Sequence, residues 1–489
     1  MGAFATPVHT TEQGDYRLLA ACGEEDVRDV AVEYRLGLAQ GQDPIIRLGN
    51  GWIRFGRAPG TALQTAEDVE EVRRIVAGRD PRTGQRLMRF KQATAPAALL
   101  PARPLVEAVD KAAADRGVSV EELLWRLSWE QDAARPRPSA DRSPWSWRRY
   151  ERLVRCLTSE GGHHRAPVAD LERVALAAGV DLEDVFEDQA LAHAQQHRDE
   201  RVDIGVRAYD LTLTRPRRQQ IAQEAVPPAI AARMEAIHDE AVAETVAYAE
   251  KVLAYVMRGH HGDGRSAERR PVEGIIATAT KHRTARSVSP GEPGDPHTHT
   301  HVMISVMGCD PEDGKWLSIG AGGRDLMRHV AMFGEMQRAI ERRKLTEEFG
   351  LLFAQDPESR QWDVVGIPDT VKAGFSRRRD QARAEVGEGA PGAASRAAAR
   401  RTAATKVAST RAEERASWHR RMKRMGFPAP VLWRAVLEGR EPGEPVAARG
   451  PRPDLGPDPD AVAAAVWDPE TGVTATRKVS SPRHGSWRP

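Results

Sequence analysis

One short segment constrains this chain more than any other: Asp295-Pro296-His297-Thr298-His299-Thr300-His301, which runs directly into the apolar sequence VMISVM. The apolar sequence predicts a strand, and residues two apart in a strand point to the same face of the sheet. His299 and His301 therefore present two imidazoles side by side, about 6.6 Å apart at Cα. That spacing suits one shared metal ion, whereas His297 lies about 13 Å from His301, too far to join them comfortably.

A third ligand is expected from a neighbouring strand. His282 ends the strand-like run VEGIIATATKH, and a loop with Pro and Gly reverses the chain before Asp295. An antiparallel return places His282 beside His299 and His301. Three neutral imidazoles leave open positions on an ion, as a catalytic site requires. The alternative is a surface histidine run that binds metal adventitiously, but the strand context favours a built site.

The rest of the pattern predicts an α+β fold with an antiparallel sheet covered on one face, because strands and long helices alternate without regular βαβ spacing. The helices are expected at 228–258, with an apolar stripe, and at 325–349, ending at Gly350 as the C-cap. The strand-like runs are 16–22, 44–56, 206–214, 272–281, 299–307 and 362–367.

Composition excludes two classes of protein. The 489 residues carry 72 Lys and Arg against 70 Asp and Glu, and no apolar run is long enough for a membrane span or a signal peptide. The three cysteines, Cys22, Cys156 and Cys309, are too few and too far apart for a disulfide scaffold. A membrane protein and a small secreted protein are therefore excluded, and we expect the cytoplasm.

Two regions stand apart from the sheet pattern. Residues 97–203 contain Pro-rich joints and helical patterns, and the segment APVADLERVALAAGVDLEDVFED resembles the closing helices of small helix-turn-helix regulators, although any compact helical insert could produce it. Residues 375–425 hold fourteen Lys and Arg against five Asp and Glu. That stretch predicts either a solvated basic helix or an arm that binds phosphates.

Phosphoryl transfer at such a metal site needs a nucleophile, and the chain has only six tyrosines. Tyr248 and Tyr255 fall one heptad apart on a predicted helix and are most simply core or flank. Tyr209 neighbours Asp210 on a strand, so the two side chains point to opposite faces. Tyr34 follows the first predicted strand on a helix, where an exposed hydroxyl could swing over the sheet. Spacing alone does not choose it.

The segments KHRTAR and GDPHTHTHVMISVM together resemble the HUH-type motifs of MobF-class (TrwC/TraI-like) conjugative relaxases, in which an HxxSR segment precedes DPQLHTH. Other blocks agree in order: YDLTLTRP resembles DLTFSAPKS, and MEAIHDEAVAETVAYAE resembles a helix that begins HDxAV. The blocks DGKWLSI, RRKLTEEFGLLF and VVGIPDTVKAGFSRRR also have counterparts, so the resemblance covers about half of the chain.

This resemblance implies a five-stranded antiparallel palm with covering helices, in which His282, His299 and His301 hold a divalent cation. The cation would be Mg²⁺ or Mn²⁺ in use, and all-imidazole ligation makes Zn²⁺ or Ni²⁺ unsurprising in purified protein. A tyrosine attacks the scissile phosphate, leaving a 5′-phosphotyrosine link to single-stranded DNA and a free 3′-OH.

The resemblance also assigns roles to further residues. Tyr34 precedes Trp52 with the family's spacing and becomes the expected nucleophile, and Asp210 matches an acidic residue that orients or deprotonates it. Arg286 matches the HxxSR arginine and is expected to contact phosphate or the Asp295 loop. Basic residues expected to bind DNA are Arg215, Arg217, Arg377, Arg378 and Arg379.

The sequence departs from the family pattern in three ways. Tyr34 is followed by Arg35 and the second tyrosine position falls in GQDPII, which predicts a single-tyrosine enzyme. Residues 97–203 are an insertion, and no GxxxxGK[ST] loop of a helicase occurs. The expected organisation is 1–96 and 204–380 for the relaxase domain, 97–203 for a helical insertion resembling helix-turn-helix proteins, and 381–489 for a basic helical region with a Pro-rich tail.

The resulting prediction is a site- and strand-specific single-stranded DNA nickase and transesterase acting at a transfer origin. Its partners would be the origin DNA, accessory relaxosome proteins, a coupling protein and a separately encoded helicase. The alternatives are a rolling-circle replication initiator of the HUH class and a DNA-binding protein that recognises an origin without cutting it. A three-histidine hydrolase of the cupin type does not explain the flanking blocks.

Overall fold

A computed structural model describes residues 3–11, 43–124, 145–259, 266–289, 292–356, 360–387 and 409–442, together with residues 13, 394, 398, 401 and 402. Within these residues a five-stranded antiparallel sheet forms the palm, as the sequence predicts. The palm strands are β1 (Ala3–Val8), β2 (Ile46–Leu48), β7 (Ala208–Thr214), β10 (Ala277–Thr284) and β11 (Pro296–Ser305). They lie across the sheet in the order β1, β7, β11, β10, β2.

The remaining strands of the described residues form two-stranded pairs outside the palm. They are β3 (Lys91–Thr94) with β6 (Arg201–Ile204), β4 (Leu99–Pro101) with β5 (Arg165–Pro167), β8 (Tyr255–Arg258) with β9 (Glu268–Pro271), β12 (Met307–Cys309) with β13 (Trp316–Ser318), and β14 (Phe353–Gln355) with β15 (Trp362–Val364).

The helices account for most of the other described residues. They are α1 (Ala66–Val76), α2 (Arg103–Asp115), α3 (Trp145–Ser159), α4 (Val168–Ala178), α5 (Asp188–Gln196), α6 (Arg217–Ala225), α7 (Pro228–Leu253), α8 (Arg324–Phe349), α9 (Asp369–Gly374), α10 (Arg377–Val386), α11 (Arg411–Arg424) and α12 (Ala429–Glu438). No helix among the described residues is both long and apolar enough to cross a bilayer.

Several sequence expectations about strands are wrong in detail. An edge strand of the palm is Ala3–Val8, whereas the run 16–22 lies outside the described residues. The run 44–56 is a strand only at Ile46–Leu48, because residues 50–55 form a 3₁₀ helix around the buried Trp52, whose indole donates to the Ala277 carbonyl. Residues 362–364 pair with β14 and not with the palm.

The two long helices lie against one face of the palm. Helices α7 and α8 pack on each other, and α8 contacts β1 and β7. Helix α8 ends at Gly350 in the left-handed conformation, as the sequence predicts. Helix α7 stops at Leu253, earlier than the expected 258, and residues 255–258 form β8. The sheet face opposite these helices carries the histidines.

The insertion has a hydrophobic core of its own. Buried side chains of α2, α3 and α4, including Leu105, Leu153 and Leu171, form one cluster that is separate from the palm core. The resemblance of APVADLERVALAAGVDLEDVFED to paired helices predicts a short second helix after Gly179, and this prediction is wrong: the residues that follow make only a single turn around Leu182, and α5 begins at Asp188. One turn fixes many dihedral angles for few hydrogen bonds, so a short apolar segment does not propagate as a helix.

A third core joins the far end of the chain to the palm helices. Trp418 of α11 and Leu432 of α12 are buried with Ile221 of α6 and Ile237 of α7. Helix α11 belongs to the basic 375–425 stretch, and its Arg411, Arg415 and Arg421 pair with acidic residues. Its inner face is packed and paired with acidic residues, so this part of the stretch is neither a solvated tail nor a free arm.

Candidate metal centre

Two neighbouring strands bring together the three histidines that the sequence singled out. The β10–β11 register places His282 directly opposite His299, and His301 lies two residues further along β11 on the same face. The three ring centroids are 5.0 to 5.1 Å apart. One ligand atom from each residue lies within 4.8 Å of the other two. The three imidazoles therefore converge on one point.

Hydrogen bonds orient two of these rings. His299 Nδ1 lies 2.6 Å from the carbonyl oxygen of His297, and His301 Nδ1 lies 2.9 and 3.0 Å from the two carboxylate oxygens of Asp210. These acceptors favour the tautomer with hydrogen on Nδ1, which leaves each Nε2 lone pair for a metal ion. The donor set thus fits a divalent cation held by neutral imidazoles, with positions left over for a substrate oxygen.

Asp210 is a buried carboxylate at the centre of this arrangement. Its side chain is 2% exposed, and the β7–β11 register sets Thr212 opposite His301, so Asp210, Thr212 and His301 share one face of the sheet. Thr212 Oγ1 adds a contact of 3.2 Å to His301 Nδ1. The structure therefore places Asp210 against a metal ligand, which is a positioning contact that the sequence did not predict.

His297 is close to the cluster without joining it. Its ring stacks on His299 at 4.6 Å, and its Nδ1 is buried without a hydrogen-bond partner. Burial, and then the positive charge of Arg217, lower the pKa of His297 to about 3, so this imidazole stays neutral.

A buried polar network supports the sheet from its other face, and sequence analysis missed it. His238 of α7 lies with Nε2 2.9 Å from Thr300 Oγ1 and with Nδ1 3.3 Å from Glu341 of α8. Glu341 also accepts from Arg215 and from Gln219. The available signal was a histidine and a glutamate at positions that helical spacing places among buried residues of the two long helices.

The loop before the histidine strand is fixed by the C-terminal helices. Asp295 accepts hydrogen bonds from the backbone N–H and Nε of Arg377, at 2.9 and 3.0 Å, and from Arg421 at 2.5 Å. Trp418 donates its indole N–H to the Gly294 carbonyl at 2.9 Å. A Cβ at Gly294 would collide with the backbone of Ala285, so only glycine fits there.

Two of the arginines expected to bind DNA have structural partners. Arg215 is buried, with a side-chain exposure of 0%, and bonds Glu341, Gln223 and the Met234 carbonyl. The expectation that Arg215 contacts DNA is wrong because no phosphate can reach it. The Arg377 guanidinium pairs with Glu292, Asp295 and the Pro293 carbonyl, but its side chain is still 25% exposed, so its contact with DNA stays a prediction.

The other predicted arginines lie nearer the surface. Arg217 is partly buried and donates to the Pro296 carbonyl at 2.5 Å. Arg378 donates to the Thr402 carbonyl, and Arg379 is half exposed. The cationic groups of Arg378 and Arg286 lie close together beside the Asp295 loop. Burial, and then the charge of Arg286, therefore lower the pKa of Arg378.

The predicted nucleophile Tyr34 lies outside the described residues, as does Tyr16. Three tyrosines inside them are already engaged elsewhere: Tyr150 donates to Asp110, Tyr209 to the Gly322 carbonyl and Tyr255 to Asp325. None of these three hydroxyls points to the histidine cluster.

The sheet and its histidines define a class of protein, the HUH-type metal-dependent nucleases. Residues 33–425 match the family model described as TrwC relaxase. A search of curated protein sequences found no match. This match covers most of the chain, including the insertion, and the chain therefore belongs to the TrwC relaxase family. It is a DNA relaxase, an enzyme that nicks DNA by transesterification.

Two solved structures share the fold. A metal-bound structure of the conjugative relaxase TrwC in complex with oriT DNA is 16% identical, has a TM-score of 0.50, and aligns over 87% of this chain and 99% of its own. A metal-free structure of the same complex gives the same values. At this identity the likeness extends to the fold alone.

Proposed function

We propose that this relaxase is a site- and strand-specific single-stranded DNA nickase and transferase that acts at an origin of transfer. The observation that carries the proposal is the convergence of His282, His299 and His301 on the palm face opposite the two long helices, in a chain of the TrwC relaxase family. A solved structure with the same fold is the conjugative relaxase TrwC in complex with oriT DNA. We therefore propose a transfer origin, and not a replication origin, as the substrate.

His282, His299 and His301 would hold the divalent ion, with Asp210 and the His297 carbonyl fixing the rings of two of them. When bound, the ion supplies Lewis-acid polarisation of the scissile phosphate. The ligand geometry is set by strand pairing and by the network under the sheet, so the rings need little reorganisation before the substrate arrives.

Tyr34 is the proposed nucleophile. Its phenolic oxygen forms a bond to phosphorus while the bond from phosphorus to the 3′-oxygen breaks. The phenol gives up its proton to solvent and the leaving oxygen takes one from solvent, so charge balances. The 5′-phosphotyrosine keeps the energy of the phosphodiester, which allows the reverse reaction to rejoin the strand. Asp210, bonded to His301, is assigned to positioning the metal ligand and not to taking the phenolic proton.

Single-stranded DNA would cross the histidine face of the palm. Four arginines supply positive charge beside the Asp295 loop: Arg286, Arg378, Arg379 and the partly buried Arg217. Phe4 of β1 pairs with Thr212 in register, so it shares the histidine face, and its ring is 50% exposed. An exposed aromatic ring there can stack on a base.

The roles of the other regions and the expected partners are proposed on the same basis. The insertion 97–203 would add contacts to duplex DNA, and residues 1–96 and 204–380 would form the catalytic domain, with helices from 411 onward bracing it. Accessory relaxosome proteins, a coupling protein and a separate helicase are the expected partners, and the site of action is the cytoplasm.

A covalent-adduct assay tests the proposal. Purified protein with Mg²⁺ or Mn²⁺ is incubated with tiled single-stranded oligonucleotides from the DNA flanking its gene, and denaturing gels report protein shifted by attached DNA. We expect an adduct with wild type that is lost in Tyr34→Phe and in His299→Ala. The matched control Tyr248→Phe, on helix α7, keeps the adduct.

Two outcomes would contradict parts of the proposal. An adduct that survives Tyr34→Phe keeps the enzyme class and moves the nucleophile, with Tyr16 the next candidate. Tight binding to one oligonucleotide with no adduct under any metal would replace the nickase by an origin-binding protein that does not cut.

A further inference from the structure

A second cluster of metal-ligating side chains lies at the end of helix α3 in the insertion, whose hydrophobic core is separate from that of the palm. Cys156 and Glu160 are four residues apart, and His164 follows after another four. Positions four apart share one side of a helix. One ligand atom from each residue lies within 4.8 Å of the other two, and His164 Nδ1 is 3.0 Å from a carboxylate oxygen of Glu160.

The chain turn that brings His164 back over the helix end is built tightly. Gly161 and Gly162 have φ values of 60° and 84°, which favour glycine. The N–H of Gly162 donates to the Leu157 carbonyl at 2.7 Å, and a Cβ at Gly162 would collide with the Arg103 guanidinium. The positive φ values of the two glycines and this hydrogen bond define the path of the turn.

The backbone of His164 is also anchored. Its carbonyl accepts the N–H of Ala102 at 3.0 Å, and Ala102 is buried in the insertion core. The Cys156 side chain is half-buried and His164 is 20% exposed, whereas Glu160 is 53% exposed. Two of the three ligand groups are thus partly buried by the fold, and the third, the Glu160 carboxylate, lies on the exposed side of the cluster.

Charge and chemistry favour one type of ligand. The carbonyl groups at the end of α3 give the helix C-terminus a partial negative charge, which attracts cations. A thiolate, an imidazole and a carboxylate form a donor set of borderline softness that suits Zn²⁺ and is poor for Mg²⁺.

We propose that Cys156, Glu160 and His164 form a Zn²⁺ site in the insertion, independent of the catalytic centre. The thiol releases its proton to solvent as its sulfur bonds the ion, the imidazole binds in its neutral form, and water completes the coordination. No electron transfer takes place.

The role of this site is structural. It joins the end of α3, whose Tyr150 and Leu153 are buried in the insertion core, to the start of β5. Binding to the folded state but not to the unfolded chain stabilises the insertion. The site does not rest on the relaxase reaction and can be tested without DNA.

Cobalt substitution tests the proposal on the full chain. Co²⁺ bound to a thiolate gives a near-ultraviolet charge-transfer band, which the all-histidine palm site cannot produce. We expect this band in wild type and in the double variant His299→Ala/His301→Ala. Cys156→Ser should lose it, and the control Cys309→Ala, on the palm side, should keep it. Added Zn²⁺ should displace the band.

Protection of the thiol gives a second readout. Zn²⁺ should slow alkylation of Cys156 at least tenfold in wild type, and His164→Ala should remove most of that protection. A band that persists in Cys156→Ser, or Co²⁺ binding in wild type with no charge-transfer band, would overturn the proposal. If wild type shows the Co²⁺ charge-transfer band but forms no covalent adduct with DNA, the proposed function is refuted and the Zn²⁺ site is not.

Discussion

Replacing Asp210 by asparagine separates two roles for this carboxylate. Its two oxygens lie 2.9 and 3.0 Å from His301 Nδ1, and the side chain is 2% exposed. If the carboxylate fixes the ring and raises its basicity, Asp210→Asn weakens metal binding. If it acts on the tyrosine, the variant loses cleavage while binding metal normally.

The expected size of the effect follows from the contact. A hydrogen bond to a charged group contributes roughly 1.5–3 kcal/mol, and each 1.4 kcal/mol corresponds to about tenfold in affinity. Loss of a partner of this kind costs about 10- to 100-fold in metal affinity. We therefore expect Asp210→Asn to bind Mn²⁺ about 10- to 100-fold more weakly than wild type.

Calorimetric titration with Mn²⁺ measures this directly, alongside the yield of covalent adduct at saturating metal. Thr212→Val, which removes only the 3.2 Å hydroxyl contact, should have a smaller effect. Asp199→Asn makes the same charge change on an exposed loop and should bind as wild type. Unchanged Mn²⁺ affinity in Asp210→Asn, with cleavage lost, would refute the positioning role and return Asp210 to the tyrosine.

Three further predictions concern stability. Glu341→Gln leaves the buried Arg215 without its counter-charge and should lower the free energy of unfolding by about 3–5 kcal/mol in urea titrations. Although burial alone raises the pKa of Glu341, Arg215 lowers it below its usual range, so the wild-type contribution is present near neutral pH and is lost as pH falls through that lowered pKa. Trp418→Ala should cost about 3–5 kcal/mol, measured the same way. Burial, and then the hydrogen bond to Asp325, raise the pKa of Tyr255 from 10.0 to about 12, so wild type should lose stability between these pH values in thermal scans, and Tyr255→Phe should lose less, because only Tyr150 and Tyr209 with raised pKa values remain.

Each of these has a clear contrary result. A Glu341→Gln protein as stable as wild type at neutral pH would show that Arg215 finds another counter-charge. A cost below about 1 kcal/mol for Trp418→Ala would mean that α11 does not brace the Asp295 loop. If wild type and Tyr255→Phe lose the same stability at alkaline pH, the raised pKa of Tyr255 is refuted. The conservative variant Trp418→Phe, which keeps most of the buried surface, is the control for Trp418→Ala.

Much of the catalytic face could be predicted from local spacing. The alternation of a strand places His299 and His301 on one side, and the antiparallel return brings His282 opposite His299. The end of α8 at Gly350 was equally local, since a left-handed residue after an apolar helix is a helix stop. Composition excluded membrane and small secreted proteins, and the resemblance of the flanking blocks then indicated the family.

Local spacing could not predict which charged residues form buried ion pairs. Arg215 pairs with Glu341, 126 residues away, and Arg421 pairs with Asp295 at the same separation. Nothing in the sequence around Arg215 distinguishes an arginine that binds DNA from one that neutralises a buried glutamate. That difference depends on which segments meet when the helices pack on the sheet.

The sequence by itself therefore determined the period of the strands and helices, the clustering of three histidines on one sheet face and the family. Only the tertiary structure decided which strand forms the edge of the palm, which carboxylate holds His301, and which arginines are consumed inside the fold. The physical reason is range: side-chain direction repeats over two to four residues, whereas ion pairing and burial depend on contacts between segments far apart in the chain.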